Sequence, residues 1–521
     1  MHVFIVDFHR RLTREESYSM NNPQPATVLA SSLLFFAVFL LVLPSAQAQM
    51  QYDENVWVSY CDFRQVTDIA VGRNEVYFAS NGGVLHYDRY RRMWRNPWVV
   101  VRGLEESVDL RGAVNVDYLP ETDQIAVLTP RGAYLYDSIA QFWVPTDHSF
   151  APPQTAQVNQ AFFIDLPGQN ISGRSYFQQG SNAMMDSDLR RHELGVFADD
   201  DWGNRWIGVQ GVGVLRLDIR MWRGELWNLG FFGTDVRAIV RGGSWTIFAG
   251  HNRDRGITFW KPKTNIWDHL EPRYQAGLES SWINDLAVTG SWLLAATDYG
   301  VAQIDLKNGT CRTWTIHDGL WSNAVTSVAA DRDTVWVGSE SGLCVLFLPR
   351  GPIKRIETAA LKNQPIYRLA VDHQAVWVGG ELGLYRMDRA SGIGEFLDLV
   401  SSVGGPIFAL NSTPSEIWVG RYTGLEVVEK EGLKQTGYPS QAFFGGSIVN
   451  AVLSVDSLVY VGTDQGLWKF DRFRNRWHHY TEVDGLLDNR VTAIFPDGDH
   501  LLLGTPAGVT RFFWNDPNRT D

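Results

Sequence analysis

Apolar and polar positions alternate with a period of two through short runs that are broken by glycines and acidic turns. From Val459 the run VYVG enters Thr463, two polar residues follow, and Gly466-Leu467 restarts a second run that ends in Phe470-Asp471. Alternation on both sides of a short glycine-bounded break predicts a β-hairpin. The same text returns as VWVGSESGLCVLF from Val335, VWVGGELGLYRMD from Val376, IWVGRYTGLEVVE from Ile417, LLAATDYGVAQID from Leu293 and LLLGTPAGVTRFF from Leu501.

The second glycine of each hairpin measures the repeat. It falls at Gly256, Gly300, Gly342, Gly383, Gly424, Gly466 and Gly508, in steps of 44, 42, 41, 41, 42 and 42 residues. Weaker copies stand at Gly83, Gly132 and Gly213, and the 81-residue step between the last two holds either an unrecognised copy or a long insertion. Within one period the pattern reads as four strands. An alternating first strand (VTSVAAD, VNAVLSVD) leads through a polar turn to the VWVG strand, then the post-glycine strand, then a fourth that often carries Trp: Trp94, Trp143, Trp267, Trp314, Trp477. Such units predict an all-β chain, a β-propeller of about ten four-stranded blades, arranged as one large ring or as two rings with the chain returning to finish the first.

The two ends of the repeat region fit each other. After Gly508 the last unit has a third strand and no fourth, whereas Trp57-Val58-Ser59-Tyr60 precedes the first unit and has the form of the missing Trp477–Tyr480 strand. The N-terminal strand is therefore expected to complete the last blade and hide two open edges. Residues 145–195 break the regularity and mark an insertion or a boundary within the repeat region, 49–515; residues 516–521 form a short tail. Ahead of the repeats, the apolar run 27–43 follows Arg10, Arg11 and Arg14 and precedes Ala46-Gln47-Ala48. That is the layout of a signal peptide over residues 1–48, with an uncleaved anchor as the alternative. Both export the repeats, to the periplasm or the cell surface of a bacterium.

Charge narrows the partners. The leader holds as many basic as acidic residues, so the net charge of −12 belongs to the exported part and disfavours nucleic acid. Cys61, Cys311 and Cys344 have neither metal-site nor disulfide-framework spacing. No cofactor, phosphate-loop or nucleophile motif is present, and no catalytic or metal-binding residue is expected. His478-His479 lie on a strand where alternation sends them to opposite faces. Asp199-Asp200-Asp201 and Asp497-Gly498-Asp499 fall in the first turn of the repeat, where hairpin chemistry accounts for them.

Recognition is expected where the repeat lets residues vary, in the loop between strands two and three. That loop shares a face with the connection from one blade to the next. It supplies Asn81, Arg131, Gln210, His251, Arg253, Asp298, Tyr299, Glu340, Glu381, Arg421, Tyr422, Asp464 and Gln465, a rim of mixed charge suited to a glycan, a peptide or a protein loop. The alternative is a propeller-fold lyase, which needs a histidine, a carboxylate and a divalent ion in the central funnel; His251 with Asp298 or Asp254 is the set available.

The connecting text TIHDGLWSNAVTSVAADRDTVWVGSESGL from Thr315, and TEVDGLLDNRVTAIFPDGDHLLLGTPAGV from Thr481, resembles the two-component-regulator propeller repeat. The resemblance covers most of residues 56–515. It implies a periplasmic ligand-sensing module, joined in many members to a histidine kinase, or a scaffold in a secretion or surface assembly. This chain ends soon after its last repeat, so its output is expected to leave through a separate membrane signalling or envelope component.

Overall fold

The computed structural model describes residues 56–516 apart from 105, 169, 254, 398 and 400–404; the leader over 1–48, Asp254 and the tail beyond 516 lie outside them. Ten sheets of four or more strands follow one another, and we number these blades 1 to 10 in chain order. Blade 1 spans Val66–Trp94, blade 2 Asn115–Pro145, blade 3 Arg191–Asn228, blade 4 Ala238–Leu270 and blade 5 Ile283–Trp314. Blade 6 spans Val325–Arg355, blade 7 Ile366–Leu397, blade 8 Ile407–Pro439, blade 9 Val449–Tyr480 and blade 10 Ala493–Phe513.

The ten blades divide into seven and three. The first strands of blades 4 to 10 pack each against the next, and the first strand of blade 10 packs back on that of blade 4, which closes a seven-bladed ring. Blade 10 takes Trp57–Tyr60 as its fourth strand, in the register Trp57↔Phe512 to Tyr60↔Val509. Trp57 stacks on Phe512 at 4.1 Å and Ser59 meets Thr510 hydroxyl to hydroxyl at 3.2 Å. From there the chain leaves the ring, builds blades 1, 2 and 3 as a separate arc in the spatial order 3, 1, 2, and returns to lay down blade 4. Blade 3 is widened to seven strands: Phe163–Asp165 runs parallel along its outer strand, and Tyr176–Gln178 and Ala183–Asp186 extend its inner edge.

Local chemistry explains the repeated letters. The second glycine takes a positive φ, +126° at Gly466 and +133° at Gly342, a region costly for any residue with a Cβ. The Ser or Thr three positions earlier donates its hydroxyl to that glycine's carbonyl, as in Ser339 to Gly342 at 2.9 Å and Thr297 to Gly300 at 2.8 Å. In the Asp-Gly-Leu connectors, Thr315 and Asp318 form a capping box, Asn323 accepts from the Ile316 N–H at 2.9 Å, and Leu320 is buried; Thr481, Asp484, Asn489 and Leu486 repeat this.

The first glycine sets the spacing of the blades. A Cβ on Gly208, Gly338, Gly379, Gly420, Gly462 or Gly504 would stand 2.5–2.9 Å from the first strand of the neighbouring blade or from the residue that leads into it. A second device ties the blades at their other end. The residue after strand three is a cation in four blades, and each reaches the acidic first turn of a neighbouring blade. Arg389 pairs with Asp331 at 2.7 Å, Lys430 with Asp372 at 2.6 Å, Arg472 with Glu416 at 2.7 Å and Arg89 with Asp201. At ring closure Arg241 pairs with Asp497 at 2.8 Å. The acidic turns therefore do more than shape hairpins: Asp372 also accepts from the Trp377 indole at 2.9 Å, and Asp200 from the Trp206 indole at 2.9 Å.

Two measurements check this picture. Gly420→Ala puts a methyl 2.5 Å from Val449 in a site without space, and should cost about 1–3 kcal/mol in denaturant unfolding, while Gly405→Ala, with nothing within 4 Å, should be neutral. Burial alone would raise the Asp372 carboxyl, but Lys430, the Trp377 indole and two backbone N–H groups outweigh it and hold it well below the usual carboxylate range. A depressed folded-state value means that this contribution is complete above about pH 4 and is lost as the pH falls further toward the folded value. Lys430→Met should therefore cost about 1–3 kcal/mol at pH 7 and flatten the acid side of the stability curve; an unchanged curve would count against the latch.

Candidate functional site

The loops between strands two and three of the ring blades share one end of the ring with the blade-to-blade connections, because the two kinds of loop are hydrogen-bonded together. The Asp298 N–H donates to Trp282 O at 3.4 Å, that of Glu340 to Ala324 O at 3.1 Å, that of Glu381 to Pro365 O at 3.3 Å, and Asp464 accepts from the Ile448 N–H at 2.9 Å. Ten of the expected rim residues come to this end: His251, Arg253, Asp298, Tyr299, Glu340, Glu381, Arg421, Tyr422, Asp464 and Gln465. Asn81, Arg131 and Gln210 do not join them, since they belong to the arc. There Arg131 is paired with Asp109, which Arg111 also holds at 2.6 Å, and the Gln210 amide points at Val66 O.

The rim is partly pre-organised. His251 lies against the Trp282 ring, centroids 4.7 Å apart, and its Nε2 donates to Asn284 Oδ1 at 2.7 Å. Asn284 in turn donates to Val325 O at 2.7 Å, so one histidine is positioned through three consecutive blades. Burial lowers the His251 pKa; the Asn284 bond opposes this and the Arg237 charge adds to it, leaving the ring neutral at pH 7. Asp298 accepts from the Ser280 hydroxyl, and Glu381 from the Tyr367 hydroxyl at 2.8 Å. Tyr299 and Tyr422 are 50% and 63% exposed, with Leu382 at 58% and Trp282 at 46% on the same loops. Among the described residues no group of three His, Cys, Asp or Glu side chains is gathered to hold a metal.

Arg421 differs from the rest. It occupies the position that Ser339, Thr297, Thr463 and Thr505 fill with a turn-closing hydroxyl, and it is buried, with its guanidinium toward Gly383 of blade 7. Desolvation lowers its pKa and Glu426 offsets part of this. Trp282 and Asn284 are the rim residues that the repeat analysis missed. Both stand where the connection meets strand one, a segment known to share the face but too regular in pattern to mark individual side chains.

No protein-family model matches the chain. No curated protein matches it either. Solved structures similar to it include extracellular domains of two-component systems. The extracellular domain of the putative hybrid two-component system BT4673 from B. thetaiotaomicron shares 14% identity over 87% of this chain and 70% of that one, with a TM-score of 0.47. PorZ, a surface component of the type-IX secretion system of Porphyromonas gingivalis, shares 12% identity over 86% and 68%, with a TM-score of 0.46. Virginiamycin B lyase from Staphylococcus aureus shares 10% identity over 54% and 95%, with a TM-score of 0.45.

The histidine geometry has a direct check by proton NMR. His251 should titrate with a midpoint below the ordinary value of about 6.5, and Asn284→Ala, which removes the one bond that raises it, should move the midpoint lower still; a rise would show that Asn284 is not its partner.

Proposed function

We propose that the chain is an exported, non-catalytic recognition module. The loop end of its seven-bladed ring takes a polar ligand, a glycan, peptide or protein loop, and its output passes to a separate membrane signalling or envelope component. The observation that supports this most is the state of His251. A lyase of this fold needs that histidine beside a carboxylate as a proton carrier, whereas here its donor is spent on the Asn284 amide and its ring rests on Trp282. Asp298, the carboxylate expected to serve with it, is engaged by Ser280. The same groups suit binding: aromatic faces at Trp282, Tyr299 and Tyr422 contribute contact area with few rotors to freeze, and carboxylates and arginines around them supply directional bonds.

The test uses the mature chain as bait for material from its own cell envelope, with bound glycans and peptides identified by mass spectrometry. The double substitution Tyr299→Ala, Tyr422→Ala should weaken capture at least tenfold, about 1.4 kcal/mol, with no loss of thermal stability because both side chains are half exposed or more. A chelator should leave binding intact. Turnover of the captured ligand that disappears in His251→Ala would replace this reading with the enzymatic one.

A further inference from the structure

Between blades 3 and 1, at the latch end of the arc and away from the ring's rim, lies a cleft of about 350 Å³. That is within the range of small-molecule sites, roughly 300–1,000 Å³. Its inner wall is aromatic: Tyr87 of blade 1 packs on Trp206 of blade 3 at 5.2 Å. Its mouth is formed by Trp202, 38% exposed, whose ring carries the Arg89 guanidinium at 4.6 Å. The fourth strand of blade 1 is only Met93–Trp94, two residues long.

The polar lining is balanced, with four arginines and four carboxylates. Six of the eight are committed to one another: Arg216 to Glu225 at 2.7 Å, Arg223 to Asp165, and Arg89 to Asp200 at 4.0 Å, with Asp201 outside the lining also on Arg89. A charged ligand would have to break one of these pairs and leave its partner alone. A polyol need not, because each hydroxyl accepts from a guanidinium and donates to a carboxylate, bridging pairs that remain intact. One buried donor is also unfilled: Arg89 is 4% exposed and its Nε has no hydrogen-bond partner. A partly exposed Trp202–Tyr90 aromatic pair, centroids 4.9 Å apart, paired arginines and carboxylates, and an unsatisfied buried N–H are together the complement of a sugar ring, which has one apolar face and a hydroxyl edge. We propose that this cleft is a second binding site, taking a neutral mono- or disaccharide unit of a glycan, independent of the rim.

The full mature chain, probed on an array of neutral and acidic oligosaccharides with glycylglycine and inorganic phosphate as controls, decides the matter. A neutral glycan should bind, quench tryptophan emission, and hold its affinity between low and high salt, since no net charge is matched. Trp202→Ala and, separately, Glu225→Gln should each weaken it tenfold or more while the chain stays folded, the two side chains being 38% and 44% exposed. Tyr299→Ala, Tyr422→Ala should leave this binding untouched, which separates the cleft from the rim. No bound neutral glycan, preference for phosphate, the dipeptide or acidic sugars, or full affinity in Trp202→Ala would overturn the assignment.

Discussion

The closeness of one sheet to the next governs the rest of the molecule. A four-stranded sheet of this length has two apolar faces and cannot bury either alone, so its stability depends on how closely its neighbours approach. Glycine at the end of the second strand sets that distance. At Gly338, Gly379, Gly420, Gly462 and Gly504 the missing side chain is the space that the next blade's first strand, or the residue that leads into it, occupies. The large aromatics then fill what remains: Trp377, Trp418 and Tyr460, at the strand-two position, are all but completely buried. Seven steps, five of them set by these glycines, return to the starting sheet, and Trp57–Tyr60 supplies the last strand from the other end of the repeats, so closure is made by backbone pairing as well as side-chain packing.

At the opposite end of the same strands the blades are tied by charge. In two junctions the acidic residue at the first turn receives two donors, the indole of its own strand two and a cation from the neighbouring blade: Asp372 with Trp377 and Lys430, and Glu416 with Trp418 and Arg472. Asp200 takes the Trp206 indole, with Arg89 as a looser ion pair at 4.0 Å. A carboxylate buried this way is stable only with its donors in place. The tie therefore fixes the angle between neighbouring blades as well as holding them together. The rim end is where residue types diverge most.

Much of the fold was legible in the sequence because its determinants are local and repeated. The paired glycines, the alternating strands and the Trp57–Tyr60 match each encode a backbone requirement that recurs at fixed spacing, and all three correspond to observed sheets. The partition into seven and three was not legible, since it depends on which first strand meets which glycine. Gly208 meets Val66 and Gly504 meets Val236, contacts between positions far apart in the chain. The rim was legible as a set of positions but not as an arrangement. Nothing in the spacing separates Asn81, Arg131 and Gln210, on the arc, from the ten that share the ring, or indicates that Asn284 would take the donor of His251. The cation after strand three was visible as Asp88-Arg89, Asp388-Arg389, Glu429-Lys430 and Asp471-Arg472; its meaning needed the neighbouring blade.

The ring and the arc differ in a way that bears on where ligands fit. In the ring every blade has a neighbour on both sides, so blade faces are sealed and only the loop end is open to variation. In the arc blade 1 alone is held from both sides by other arc blades, and its fourth strand is two residues long. Its junction with blade 3 keeps the glycine contact at Gly208 and the cation tie at Arg89, so it is as firmly joined at those two points as any ring junction. What it lacks is cover beyond them. A gap bounded by two fixed points and lined by paired charges keeps its shape when empty, and that is the property a small polar ligand requires if binding is not to be spent on ordering the protein.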